Sequence, residues 1–170
     1  TRTLAAAVEI QRSFAHKLNL PWGISESGYA QQDSGGHYQY RAFGIPETAL
    51  KWDVTAGPVV SPYSSFLALA VDAPAAVANL RRMAKMGWVG EYGFYEAVDC
   101  SQRGKHQIVR EWMAHHQGMS LLAILNLLRE NTVQTWFHSN PEVQASELLL
   151  HEKPVRDAAL RAEHRQFKRY

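Results

Sequence analysis

Leu4, Val8, Phe14, Ala15 and Leu18, with Gln11 among them, recur at helical spacing, while Glu9, Arg12 and Lys17 fall on other faces. That periodicity predicts an amphipathic helix. Pro21 ends it, because a proline ring disfavours helical backbone in the residue before it. Pro62 suits the first turn of a second helix reaching about Ala70. Asp72 is placed to cap a third, Pro74–Met86, in which Val77, Leu80, Met83 and Ala84 line one face and Gly87 is the stop. The strongest apolar pattern lies in Met113–Leu128. There Leu121, Leu122, Leu125 and Leu128 share a stripe with Ile124 beside it, which predicts a core helix. Thr132–His138 and Pro141–Leu150 complete the set. Glu47–Trp52 reads as one or two helical turns and His37–Phe43 as a short extended piece. Trp22–Gly36 reads as loop, and Trp88–Cys100 as loop or a short hairpin. The fold class is therefore all-α, five or six helices with two long loops. Loops longer than about 12 residues in a compact domain are usually functional or disordered. These two are too aromatic and too rich in glycine to be simple linkers.

Composition narrows the picture without changing it. In 170 residues, 46% are hydrophobic and 20% charged, enough for one packed domain. The net charge of +2 is too small to argue for a nucleic-acid partner. Basic residues gather late, at Arg156, Arg161, Arg165, Lys168 and Arg169, and read as a polar tail over 155–170 after a domain of 1–154. With Cys100 alone, no intramolecular disulfide forms, and the residue reads as incidental. No apolar run reaches the roughly 18 residues of a membrane span. The start at Thr1, straight into helical pattern, suggests a piece of a longer polypeptide.

Chemistry concentrates in four runs. Pro21–Tyr29 sets Glu26 between Ser25 and Ser27, flanked by Trp22 and Tyr29. Aromatic faces stack on pyranose rings while hydroxyls and carboxylates hold their edges, and glycine lets backbone approach closely. A capped helix start at Ser25 or Ser27 reads equally well. Gly90–Asp99 holds Glu91, Glu96 and Asp99 among Tyr92, Phe94 and Tyr95. An acid buried among aromatics is pushed toward its neutral form, as a general acid requires; the plain alternative is a surface hairpin over an aromatic cluster. Glu26 and Glu96 form a candidate pair, with Asp33 and Asp99 in reserve. Glycosidases place two carboxyls about 5–5.5 Å apart for retention and about 6.5–9.5 Å apart for inversion. In Trp112–Ser120, His115 and His116 are adjacent, so they point about 100° apart on a helix and do not share a metal. With Gln117 they suit a sugar or the orientation of a carboxylate, or one histidine is core and the other exposed. His37–Pro46 alternates aromatics, Tyr38 and Tyr40, around Arg41, which could stack on a sugar or pair with Glu26 or Glu96. No P-loop, dinucleotide-binding glycine motif or Gly-x-Ser-x-Gly elbow is present. Neither a cofactor nor a metal is expected.

These runs in this order resemble one family. Trp22-Gly23-Ile24-Ser25-Glu26-Ser27-Gly28-Tyr29 is followed by Tyr38-Gln39-Tyr40-Arg41-Ala42-Phe43-Gly44 and Ser61-Pro62-Tyr63. Tyr92-Gly93-Phe94-Tyr95-Glu96-Ala97-Val98-Asp99 and Met113-Ala114-His115-His116-Gln117-Gly118-Met119-Ser120 then complete the match, roughly Val8 to Pro154. The chain is similar to the glucoamylase-like domain of cyclic β-1,2-glucan synthases, the NdvB-type proteins, with relatives among β-1,2-glucanases. The resemblance implies the C-terminal half of an (α/α)6 toroid with its site at the loop-bearing end. It implies closure of linear β-1,2-glucan into rings by transglycosylation, with hydrolysis, or glucan binding without chemistry, as the alternatives. Carried over by motif, Glu26 is the nucleophile and Glu96 the acid/base. Trp22, Tyr29, Tyr38, Tyr40, Arg41, Tyr63, Tyr95, Asp99, His115, His116 and Gln117 are expected around the substrate. The expected partners are the glucan and the remaining domains of a longer protein held in the bacterial inner membrane by other segments, with this domain on the cytoplasmic side. Self-association of the half-toroid is expected where its open face lacks cover.

Overall fold

Capping and proline signals place the helices close to where their periodicity does. A computed structural model describes residues 2–42, 44–48, 57–102 and 105–150. Helix α1 spans Arg2–Lys17. It ends ahead of Pro21 through a turn in which Asn19 adopts a φ of 54°. Helix α2 spans Pro62–Leu67, with Pro62 in its first turn, and tightens into a 3-10 turn at Ala68–Ala70. Helix α3 spans Ala73–Lys85, and the Asp72 carboxylate caps it by accepting the Ala75 N–H at 3.0 Å. Gly87, at φ 81°, supplies the left-handed backbone that ends it. Helices α4 (Ala114–Leu128), α5 (Thr132–His138) and α6 (Pro141–Leu150) follow.

Half the chain is helical, as expected, and some short strands accompany the helices. The two aromatic loops are partly strand. β1 (Ser27–Gln32) pairs antiparallel with β2 (Tyr38–Arg41), setting Ser27 opposite Arg41 and Gly28 opposite Tyr40. The turn between them is held by Asp33, whose carboxylate accepts the N–H groups of Gly35 and His37 at 2.8 and 3.0 Å. β3 (Val59–Val60), β6 (Ala97–Asp99) and β7 (Gln107–Val109) form a second sheet, with β6 in the centre and fully buried. β4 (Val89–Gly90) and β5 (Gly93–Phe94) make a small hairpin turned at Gly93, φ 100°. Hydrogen bonding drives this. A buried loop must satisfy its backbone groups, and short ladders do so where side-chain caps cannot.

The chain divides into two compact units, Thr1–Val133 and Gln134–Tyr170. In the first, one core cluster joins Leu20, Ile24, Ile45, Val60, Leu80, Met83, Trp88 and Val98. A second packs Trp22 against Ala15, Ala68, Leu69 and Ala76. A third sets Tyr29 against Val59, Ala97 and Val109. Two polar side chains tie the Trp22–Glu26 segment to these cores. Gln11 Nε2 donates to the Ile24 carbonyl at 2.7 Å, and its Oε1 accepts the Ile24 N–H at 3.1 Å. The buried Asn79 accepts the Trp22 N–H and donates to the Trp22 carbonyl and the Ser65 hydroxyl.

The leucine stripe of α4 is not core. Leu121 is 67% exposed and Leu128 71%, and the residues this helix buries are His116 and Ser120. α4 turns its polar edge toward α2 and Glu96; of its apolar residues, Ile124 packs partly buried on the Trp22 cluster, while Leu121, Leu122 and Leu128 are exposed. The second unit is described as far as Leu150, and there Trp136, Phe137 and Leu149 are exposed. Glu47 and Thr48 lie in a turn closed by the Thr48 N–H on the Ile45 carbonyl; the rest of the expected Glu47–Trp52 turns lies outside the described residues, as do the Pro154 boundary and the basic tail.

Candidate active site

Glu96 sits where β5 gives way to β6, and every polar group it carries is engaged. Its N–H donates to the Glu111 carbonyl at 3.0 Å, and its carbonyl accepts the Ser61 hydroxyl at 2.6 Å. The residue is 2% exposed. Its carboxylate accepts the Gly28 N–H at 3.3 Å and faces His116 Nδ1 at 2.8 and 3.0 Å, one distance to each oxygen. A carboxylate only accepts, so Nδ1 carries the hydrogen. The three elements that meet here are β1, β6 and α4, far apart in the chain.

His116 is held in turn. The Tyr63 ring stacks on it at 3.8 Å and 10°. The Tyr63 hydroxyl accepts from Ser25 at 2.8 Å and donates to the Glu26 carbonyl at 3.2 Å. The Glu26 side chain is exposed. Burial first, then hydrogen bonding to Glu26 and its charge, push the Tyr40 phenol well above its ordinary range. Burial does the same to Tyr63, with the charges of Glu26 and Glu96 adding to it. Both carboxylates therefore act on both tyrosines, one from the buried side and one from solvent. Tyr40 also lies 6.1 Å from the His115 and His116 rings.

A cavity of about 210 Å³ opens beside Glu96 and His116, walled by Gln117 and by Tyr63, Phe66, Phe94 and Tyr95. Gln117 donates to the Phe94 carbonyl at 3.3 Å. Tyr95 packs on Trp112 at 5.1 Å and carries the Arg110 guanidinium over its ring at 5.5 Å.

Of the residues expected around the substrate, Tyr40, Tyr63, Tyr95, His115, His116 and Gln117 lie near one carboxylate or the other. The remainder do not. Trp22 and Tyr29 are packed into cores and have no free ring face, and Tyr38 packs partly buried on the Tyr29 cluster. Arg41 reaches neither glutamate; it donates to Gln31 and lies over the Tyr29 ring at 5.3 Å. Asp99 is spent on the N–H groups of Ala30 and Ser101 and on the Ser101 hydroxyl. Asp33 serves its turn, and the backbone N–H of His37, foremost, lowers its pKa. Ser25 and Ser27 cap no helix. Among the described residues no group of three or more His, Cys, Asp or Glu could hold a metal ion.

One acid escapes the sequence reading. Glu111 follows β7, and its carboxyl rests against Gly28: a Cβ on that glycine would stand 2.7 Å from Glu111 Oε1 and 3.3 Å from Glu96 Cγ. Its only sequence signal is its place just ahead of the Trp112 run.

Carboxylates among aromatic rings, carried on the strand-bearing loops between helices, fit a segment of a helical carbohydrate-active domain. The chain belongs to the glucoamylase family: the family model described as "Putative glucoamylase" matches residues 4–141. Over 164 residues, 94% of its length, it is 38% identical to the cyclic beta-(1,2)-glucan synthase NdvB of Rhizobium meliloti, and it spans only 6% of that protein. Among solved structures it is similar to a "putative glucoamylase" of Bacteroides fragilis (TM-score 0.52, 24% identity, 72% of this chain and 26% of that one). It is also similar to the endo-beta-1,2-glucanase of Chitinophaga pinensis, solved with sophorotriose and glucose (TM-score 0.51, 22% identity, 74% and 27%). These two likenesses bear on the fold, and both cover about a quarter of the solved chain. No described helix is long and apolar enough to cross a membrane.

Proposed function

We propose that the chain is part of a glycoside-active domain that acts on β-1,2-glucan and closes linear glucan into rings by transglycosylation. The full-length protein is then a membrane-associated cyclic β-1,2-glucan synthase, with this domain on the cytoplasmic side. The substrate class rests on the 38% identity to a cyclic glucan synthase and on the ordered motifs. The chemistry rests on one observation: a buried Glu96 gripped by His116 and the Gly28 N–H, with an exposed Glu26 that shares Tyr40 and Tyr63 with it.

The environments favour exchanging the two roles that the resemblance implies. A nucleophile must be held still, and two donors at the carboxylate hold it. An acid/base must pass its proton to a leaving group and take one from an acceptor, which suits the exposed Glu26. Glu96 then attacks the anomeric carbon. The bond from that carbon to the glycosidic oxygen breaks, its electron pair stays on the oxygen, and Glu26 supplies the proton. A sugar hydroxyl next gives its proton to Glu26 and attacks the same carbon, and the Glu96 carboxylate leaves.

Glu26→Gln and Glu96→Gln in the full-length protein test this with linear β-1,2-glucan. Both should abolish ring formation while glucan still binds. Undiminished ring formation by a folded Glu96→Gln protein would refute it, and short linear products in place of rings would establish a hydrolase.

A further inference from the structure

Glu111 has no part in that mechanism, yet its carboxyl packs against the glycine that holds Glu96. Oε1 is buried, and no described group donates to it. The Glu111 carbonyl accepts the Glu96 N–H, so this residue supports Glu96 through its backbone as well. Both carboxyl side chains lie within 3.3 Å of the one point where a Cβ on Gly28 would stand. Val109 Cγ1, 3.0 Å from that point, closes the remaining side. Two carboxyls this close resist being charged together.

Several charged or titratable groups sit on the elements packed around Glu111. Glu26 precedes β1, Glu96 and Asp99 flank or lie in β6, His116 is on α4, and Arg110 is the neighbour in sequence. Asp99 is turned to Ala30 and Ser101, and Arg110 to Tyr95. The charge that acts on Glu111 is that of Glu96. Burial first and that charge second push the Glu111 carboxyl up from its ordinary range. A neutral Glu111 fits this place. An ionised one would leave its buried Oε1 with no donor, and would swing away from Gly28.

We propose that Glu111 is a positioning residue of the site: in its neutral form it seats Gly28 against Glu96, and its ionisation releases that seat. This rests on Glu96 being the nucleophile. It makes the alkaline loss of activity partly a loss of position at Glu96.

The test uses the full-length protein and an aryl glycoside of a β-1,2-linked oligoglucose. Its leaving group departs without a proton, so the alkaline limb no longer reports Glu26. Glu111→Gln, neutral at every pH, should carry the alkaline limb of kcat/KM upward by about half a pH unit or more and keep the plateau within about threefold. A purely structural role would change the plateau without moving the limb. Should Glu111→Gln fail to fold, Glu111→Met, neutral and of similar length, is read the same way. Glu96→Gln is run beside it. If Glu96→Gln is inactive and the limb of the Glu111 variant is unmoved, this inference is overturned and the mechanism stands. If Glu96→Gln keeps its activity on the aryl substrate, the nucleophile reading itself has failed.

Discussion

His116→Phe removes a donor from Glu96 and little else. The phenyl ring keeps the volume and the 3.8 Å stack on Tyr63, but nothing remains to face the two Glu96 oxygens now 2.8 and 3.0 Å from Nδ1. The carboxylate is left with the Gly28 N–H at 3.3 Å, the longest of the three contacts. A hydrogen bond to a charged group contributes about 1.5–3 kcal/mol, so the expected fall in kcat/KM is about 10- to 150-fold. Stability suffers as well, because leaving a buried acceptor short of its hydrogen-bond partner costs about 1–3 kcal/mol. His116→Asn is the discriminating companion. Its amide returns a donor near Nδ1 and gives up the stack on Tyr63, worth about 0.5–1.5 kcal/mol. Activity should therefore recover in Asn relative to Phe, although neither restores wild-type stability. Initial rates on linear β-1,2-glucan give the first quantity, and urea midpoints at unchanged m give the second. A His116→Phe protein within threefold of wild type would refute the idea that this histidine holds the working carboxylate.

Gly28→Ala should lower both activity and stability. The new Cβ meets Val109 Cγ1 at 3.0 Å in the core as well as the two glutamates, and overpacking of that kind costs about 1–3 kcal/mol in a thermal or urea melt. An unchanged melt and full activity would show that the Gly28 backbone is not wedged there. Asp72→Ala removes the α3 cap and should cost about 1 kcal/mol with no change in kcat; a loss of activity at full stability would contradict a purely structural role. Burial pushes the Cys100 thiol up to about 12, with the Asp99 charge adding to it. The sign follows: the folded thiol holds its proton where an unfolded one, near 9, has lost it. This contribution is whole below about pH 9 and fades as pH rises toward 12. Haloacetamide labelling at pH 8 should be slow in the native protein and fast in denaturant; equal rates would contradict the buried thiol.

The helices were legible because their signals are local. Asp72, Pro74 and Gly87 mark α3 by chemistry acting within a few residues, and the bounds are right to within one residue at each end. Glu96 and His116 could be chosen from their aromatic surroundings, but the 2.8 Å contact between them could not, since it forms only when β6 and α4 meet. Glu111 stayed hidden for the same reason: the pairing of β6 with β7 puts its carbonyl on the Glu96 N–H. Trp22 shows the converse. A tryptophan beside a glycine reads alike as a sugar platform or as core, and only packing on Ala15, Leu69 and Ala76 decides. For α4 the leucine period was correct about which residues share a face. It carried no information on whether anything covers that face.

Chemical rescue tests the central claim most directly, that Glu96 is the carboxylate attached to the sugar. Glu96→Ala in the full-length protein, given sodium azide and the aryl β-1,2-linked oligoglucoside, should yield the α-glycosyl azide, because azide takes the nucleophile's place on the face opposite the leaving group. Glu26→Ala under the same conditions should yield the β-azide by attack on a glycosyl-enzyme still formed at Glu96. The opposite pairing of products, or rescue of neither variant, would contradict the account.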